Sequence, residues 1–281
     1  MEIPPDLKSS YAEGRLIPFV GAGVSASVRW KVDEKEFRPP NWPELVNQAA
    51  KILEFEDADL LRVRGTDLQI LEFLARKGKK DELLNWLFTQ LDAPDEALLL
   101  SAIHVKLAAL EGCPVIYTTN YDSFIERSIS LAGGRCQRLV QEADFPEVLS
   151  ARRHYPSMRE VVKFHGDINA REKMVLSETD YLKRLKLATE MDLRIRSDLL
   201  GRQVLFIGYS FNDPNVSYLF DLVQETFGAV PGSNHGRRGF IALPDPSEFE
   251  RVLFQARNFD IIDLDSSDLT AQTAELLASL E

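Results

Sequence analysis

The sequence predicts an α/β fold: a parallel β-sheet flanked by helices, with a helical insertion after the first strand. Three observations carry that expectation. Short apolar runs with almost no polar alternation recur along the chain, as they do in strands buried on both faces. Helical stretches separate these runs, which favours crossover connections and hence parallel pairing. Between the first and second runs, over residues 40–110, apolar residues recur at three- and four-residue steps without a strand pattern.

The first strand is expected in "LIPFVGAG", apolar from Leu16 to Val20 and closed by glycines. The charged piece "VRWKVDEKEFRPPN" is expected to be a loop, because it ends in two prolines and an asparagine. "NWPELVNQAAKILEFE" should open a helix, with Asn41 as cap and Pro43 in the first turn. "DLQILEFLARKG" and "KDELLNWLFTQL" continue the helical segment towards Leu110. After Gly112 the texture becomes β-rich: "PVIYTTN", then a helix in "YDSFIERSISLAGG" that stops at glycine. "VVKFHGD", "QVLFIGYSFNDPN", "GFIALP" and "FDIIDLD" supply the remaining strand candidates. No internal repeat divides the chain, and a single domain over residues 1–281 is expected.

Composition narrows the function. Of 281 residues, 44% are hydrophobic and 27% charged, as in an ordinary globular protein. A formal net charge of -11 argues against nonspecific binding to nucleic acid or to an anionic membrane surface. Two cysteines, Cys113 and Cys136, can build neither a disulfide framework nor a four-cysteine zinc site, and are expected to be reduced thiols. The opening "MEIPPDLKSSYAEGRL" lacks a basic flank followed by an apolar stretch, and no run approaches the roughly 20 apolar residues of a membrane span. A cytoplasmic protein with no membrane contact and no direct nucleic-acid partner is the expectation.

In an open parallel sheet, ligands bind beyond the carboxyl ends of the strands. The residues following the apolar runs therefore matter most. They are Gly21-Ala22-Gly23-Val24-Ser25-Ala26, Thr118-Thr119-Asn120-Tyr121-Asp122, His165-Gly166-Asp167, and Gly208-Tyr209-Ser210 with Asn212-Asp213-Pro214-Asn215. The first set fits a G-x-G-x-x-A dinucleotide fingerprint: Gly21 for the turn, Gly23 for close approach of backbone to a pyrophosphate, Ala26 for close helix packing. Helix N-terminal amides and the Ser25 hydroxyl would then meet phosphate charge. The acidic residue expected about 20 residues further on is missing; Asp33, Glu34 and Glu36 come too early, in a loop. That departs from a hydride-transferring dehydrogenase. Taken alone, Asn120 fits a turn former as well as a ligand to a ribose hydroxyl or water. His165 alone fits a satisfied structural histidine as well as a general base. Asp167 suits a structural role after a turn glycine, and Asp213 a helix cap.

Together, "GAGVS", "TTNYD", "KFHGD" and "VLFIGYSFNDPN" resemble, in order and approximate spacing, the motifs of the sirtuin superfamily. They are most similar to its bacterial sirtuin-like (silent information regulator two-like) branch, found in antiphage defence systems. "PPNWPELV" resembles the P-x-W-x-x-L that follows the first motif in that branch, and the resemblance spans residues 14–265. It implies a Rossmann-like sheet, Asn120 and His165 as catalytic residues, and a dinucleotide site of Gly21, Ala22, Gly23, Ser25, Thr119, Asp122, Gly208, Ser210 and Asn212. Asp122 would contact the nicotinamide amide.

Protein-deacylating sirtuins carry a zinc ribbon of two C-x-x-C pairs, and none can be drawn here. Their G-I-P-D-F-R segment is also missing; "EFR" at Glu36–Arg38 is a displaced echo. The resemblance therefore implies a Rossmann-like fold with no zinc ribbon and NAD+ as substrate; no pair of the other histidines has metal-ligand spacing with nearby cysteines or acids, so no metal is expected. The expected activity is NAD+ glycohydrolysis to nicotinamide and ADP-ribose. Antiphage members of this kind deplete the cell of NAD+, which implies restraint by homo-oligomerisation or by a partner such as a HerA-like ATPase or an Argonaute-type protein. Two alternatives stand beside it: an NAD-dependent protein deacylase or ADP-ribosyltransferase, and a non-catalytic subunit that senses NAD or ADP-ribose. His104 in the helical insertion, His154 in a charged loop and His235 in a surface loop are expected to be structural, and "GRRG" at Gly236–Gly239 is expected to be a solvated loop and not a phosphate clamp.

Overall fold

The computed structural model describes residues 2–55, 58–184, 186, 189–209, 217, 221 and 239–281. Nine strands lie among them: β1 (Leu16–Val20), β2 (Trp30–Val32), β3 (Lys35–Phe37), β4 (Val115–Thr118), β5 (Cys136–Leu139), β6 (Arg159–Lys163), β7 (Gln203–Ile207), β8 (Gly239–Pro244) and β9 (Phe259–Leu264). Seven of them form one sheet in the order β5-β6-β4-β1-β7-β8-β9, and every pairing in it is parallel. The chain leaves β1 for β4 on one side and later returns to β7 on the other. The direction of winding reverses there, and the crevice at such a point is where open α/β sheets take ligands.

The helices are α1 (Pro5–Ala12), α2 (Ala22–Ser25), α3 (Trp42–Ile52), α4 (Ala58–Arg62), α5 (Asp67–Arg76), α6 (Lys80–Gln90), α7 (Asp95–Leu100), α8 (Ala102–Ala109), α9 (Phe124–Leu131), α10 (Phe145–His154), α11 (Glu178–Arg184), α12 (Glu190–Gly201), α13 (Glu248–Ala256) and α14 (Leu269–Ala278). Strand alternation divides them between two faces. Leu16, Val20, Ile116 and Val161 join Leu7, Leu107, Ile129 and Leu277 in the core beneath α1, α8, α9 and α14. Ile17, Phe19, Tyr117 and Val162 join Val148, Ile195 and Phe254 beneath α10, α12 and α13. All six strand candidates of the sequence are in the sheet. Because both faces are covered, the central strands β1, β4 and β7 had no polar alternation to show.

The helices between β1 and β4 part company by packing. α3, α5 and α6 enclose their own core of Leu45, Ile70, Leu74, Leu83 and Leu87, completed by Ile168, Met174 and Leu176 from the loop that follows β6. α8 instead covers the sheet, and α7 packs with Trp30 and Phe124. The start of α3 follows its sequence signal: Glu44 N donates to Asn41 Oδ1 (2.9 Å) and Asn41 N donates to the Glu44 carboxylate (2.8 Å).

Three local expectations are corrected. The stretch expected to be a loop before α3 contains the antiparallel hairpin β2–β3, with Trp30 opposite Phe37. Its turn holds Asp33 and Glu34 at φ 48 and 64, and an Asp-Glu pair lacks the glycine that advertises such a turn. β5 escaped notice because Cys136-Gln137-Arg138-Leu139 is an edge strand without a continuous apolar run. His154 ends α10 instead of lying in a loop; it is exposed, with Nδ1 beside the Ser150 carbonyl at 2.9 Å.

Candidate active site at the ends of β1, β4 and β6

Three glycines fix the mouth of the sheet between β1 and β7. Gly21 N donates to Ile207 O and Gly23 N to Gly208 O, both at 2.9 Å, so these two amides face carbonyls of the protein itself. A Cβ on Gly21 would stand 2.4 Å from Gly208 O, and one on Gly23 2.9 Å from the same atom. Gly208 adopts φ +60, and a Cβ there would meet Val24 N at 2.5 Å. The close approach that excludes side chains from the G-x-G loop is therefore made by Gly208. Ala22 is exposed at the first position of α2.

The loop after β4 is stitched to this mouth. Thr118 Oγ1 donates to Val20 O (2.8 Å) and accepts from Asn120 N (3.0 Å). Asn120 Nδ2 donates to Gly21 O (3.0 Å) and Ser25 Oγ (2.8 Å). The Ser25 hydroxyl in turn donates to Asp122 Oδ2 (2.7 Å), and Asp122 Oδ1 accepts from Phe124 N at the start of α9 (3.0 Å). Ser25, Asn120 and Asp122 are all buried. This network fixes the Asn120 amide so that both its N–H groups are engaged. Its Oδ1 is buried and accepts no hydrogen bond among the described residues. A buried acceptor left in that state costs stability unless something donates to it.

β4 and β6 pair with Thr118 opposite Lys163. Asn120 and His165 each follow that pair by two residues, on strands spaced about 4.8 Å apart. Two further bonds tie the loops together: Phe164 N to Thr118 O (2.8 Å) and Ile168 N to Tyr121 O (2.9 Å). His165 is buried, its ring stacked on Phe164 (centroids 5.5 Å) and met edge-on by Tyr181 of α11 (5.1 Å). The turn behind it uses Gly166 at φ +88, where a Cβ would lie 2.6 Å from Lys173 O.

The sequence-derived residues therefore divide. Gly21, Gly23, Ser25, Asn120, Asp122 and Gly208 are gathered at the winding reversal, and His165 follows the next strand out, β6. Thr119 is half-buried beside them, and Thr118, not singled out from the sequence, carries the structural bonds. Ser210, Asn212, Asp213, Pro214, Asn215, His235 and residues 236–238 lie outside the described residues. Asp167 is fully buried; it accepts from Asn169 N (2.9 Å) and Arg138 Nη1 (3.0 Å). His104 on α8 is buried too, its Nδ1 2.8 Å from Ser101 Oγ, and burial pushes its imidazole down to about 4 against the opposing pull of Asp122. Tyr181, Lys163 and Glu126 escaped the sequence reading because only their partners in space give them significance.

Among the described residues, no group of three or more His, Cys, Asp or Glu could hold a metal ion, and no helix is long and apolar enough to cross a membrane. Cys113 and Cys136 are free thiols, both pushed up by burial, to about 12 and about 11.

Comparison with known proteins agrees with the motifs. The SIR2-like domain family matches residues 114–262, just over half of the chain. An NAD(+) hydrolase ThsA from Cytobacillus dafuensis is 28% identical over 230 residues, covering 82% of this chain and 42% of that protein. ThsA from Enterococcus faecium is 30% identical over 218 residues, covering 75% of this chain and 40% of its own length. Defense-associated sirtuin 2 of Bacillus subtilis is 25% identical over 276 residues, 94% of this chain but 24% of that protein. The chain thus spans less than half the length of these relatives. Its matched region begins immediately before β4 and runs into β9, so it includes the loops bearing Asn120 and His165; on that match, the chain belongs to the SIR2-like domain family.

Proposed function

We propose that this chain is an NAD+ glycohydrolase. The observation that carries the proposal is the Asn120 amide. Gly21 O and Ser25 Oγ hold its Nδ2, and its buried Oδ1 meets no donor among the described residues. Such an acceptor suits a water or a ribose hydroxyl. The names of the ThsA relatives add weight to NAD+ as the substrate.

Nicotinamide is a cationic leaving group in NAD+. Breaking its bond to ribose C1′ returns the bonding electrons to the ring nitrogen, and leaves an oxocarbenium-like ribose. Water adds to C1′, and the water's proton passes to a base. His165 is that base, an imidazole nitrogen taking the water's proton. Asn120 orients the water or the ribose hydroxyl. Asp122, already fixed by Ser25 and Phe124 N, contacts the nicotinamide amide. Gly21, Ala22, Gly23, Ser25, Thr119 and Gly208 line the dinucleotide, with Ser210 and Asn212 completing it. The products are nicotinamide, ADP-ribose and a proton; no metal takes part.

We read residues 1–281 as one catalytic domain of a cytoplasmic antiphage effector that works by depleting NAD+. Such an activity needs restraint, supplied by homo-oligomerisation or by a partner of the HerA-like ATPase or Argonaute type. The test is incubation of the chain with NAD+ alone and with candidate partners, following nicotinamide and ADP-ribose. Release without any peptide is expected, and it should fall at least about 100-fold in Asn120→Ala and His165→Ala. Turnover that appears only with an acyl-lysine peptide would replace this reading with the deacylase.

A further inference from the structure

β6 carries three charged residues in five positions, and all five are buried. Arg159 at its start donates to the carbonyls of Leu107, Ala108 and Leu110 at the end of α8. Glu160, on the opposite face, pairs with Arg152 (2.9 Å) and Arg194 (2.7 Å). Those two charges have structural partners far from the strand's carboxyl end. Lys163 is different. It is 1% exposed, two residues before His165, and its Nζ reaches between the two site loops.

Lys163 Nζ donates to the backbone carbonyl of Asp122 and lies 3.4 Å from Asp167 Oδ2. Glu126 of α9 is the third neighbour, at 3.6 Å. Neither oxygen of Glu126 nor Asp167 Oδ2 is in a hydrogen bond among the described residues, so both carboxylates are ionic neighbours of the lysine and its hydrogen bond goes to the Asp122 carbonyl. Burial disfavours the ammonium, but Glu126, Asp122 and Asp167 around it more than reverse that, and its pKa is raised. Burial raises the Glu126 carboxyl against the pull of Lys163. A buried ammonium needs several well-placed partners to be tolerated. Here two of those partners lie on the backbone and side chain of separate loops, which an apolar residue could not join.

We propose that Lys163 is a positioning residue of the site, a single cation that holds the Asn120–Asp122 loop in register with the His165–Asp167 loop. It fixes the Asp122 carbonyl while Ser25 fixes the Asp122 carboxylate. The Asn120 amide, bonded to the same Ser25, is thereby held at a set height relative to His165. In its kinetic consequences the proposal rests on the hydrolase reading; in its structural consequences it does not.

The test compares Lys163→Met, Glu126→Gln and the double variant Lys163→Met/Glu126→Gln with the wild-type chain. The double variant removes the cation together with the carboxylate it balances, so no new unpaired charge is buried between them. Amide hydrogen exchange at Asn120, Phe124 and Ile168 reads the loops directly, and exchange at least about tenfold faster is expected in the double variant, with α5 unchanged. With NAD+, kcat should fall about 10- to 100-fold while KM stays within about threefold, because small misplacements of reacting groups act on the chemical step. Glu126→Gln keeps the lysine and should match the wild type in both measurements. Wild-type exchange and wild-type kcat in the double variant would overturn the proposal, leaving Lys163 a charge balance for Glu126. So would a Glu126→Gln chain as impaired as the double variant. A wild-type chain that releases no nicotinamide would sink the hydrolase reading alone, since exchange still judges Lys163.

Discussion

The helical module and the carboxyl ends of the sheet treat polar groups in opposite ways. In the module formed by α3, α5 and α6 the interior is aliphatic. Its polar groups cap helix ends, as Asn41 and Thr66 do, or pair at the surface, as Arg76 does with Glu72. At the ends of β4 and β6, Asn120, Asp122, Lys163, His165 and Asp167 are buried against one another, together with Ser25 of α2. Apolar packing of similar volume often gives as much stability as a buried ionic cluster. We therefore attribute the second arrangement to the geometry it fixes and the first to stability. The two regions also touch: Ile168, Met174 and Leu176, which follow His165, complete the module's core, and Tyr121 Oη donates to Val175 O (2.7 Å).

If that division holds, substitutions in the two regions should separate activity from stability. The largest effect is expected in the site: His165→Ala should lower kcat by about 10²- to 10⁴-fold, equivalent to about 3–5 kcal/mol of barrier, with a melting temperature near that of the wild type. Leu74→Ala in the module should do the reverse. It empties a fully buried position, which costs about 2–5 kcal/mol in denaturant unfolding, and kcat should stay unchanged in the folded fraction.

Next comes a pH effect from the sheet's flank. His104 titrates at about 4 in the fold, below the ordinary imidazole value near 6.5. Between those values the unfolded chain binds a proton that the folded chain does not. Its contribution to stability is therefore complete above pH about 6.5 and declines by about 3 kcal/mol as pH falls to about 4. Chemical denaturation across that range should show the slope, and His104→Gln should lack it; equal slopes would mean His104 is protonated without penalty. A smaller loss, about 1 kcal/mol, is expected when Asn41→Ala removes the cap of α3. The smallest belongs to Arg76→Ala: its side chain is 74% exposed, and losing the Glu72 pair should cost under about 0.5 kcal/mol.

The same contrast explains what could be read from sequence. Strands buried on both faces announce themselves by unbroken apolar runs, so "LIPFV" and "VLFI" were legible. So were the places of Asn120 and His165, because each follows such a run at the carboxyl end of its strand. The hairpin β2–β3 was not, since its turn adopts positive φ at Asp33 and Glu34 without a glycine. Lys163 stands two residues before His165, yet a lone lysine in a strand has no signature of its own. Only the register of β4 against β6 shows what it reaches. The helical segment was legible as helix but not as two packings, because periodicity tells which face is apolar and not what covers it.

The three glycines at the mouth of β1 and β7 bear on how this chain can change over time. Gly21, Gly23 and Gly208 each exclude a Cβ because of main-chain atoms, with Gly208 O meeting the first two. Each is already the smallest residue there is. A methyl group gained at one cannot be offset by trimming another, so second-site suppression by the usual exchange of large for small is closed at this junction. Libraries that diversify the site should therefore hold these three positions constant and spend their variation on side chains around the Asn120 amide.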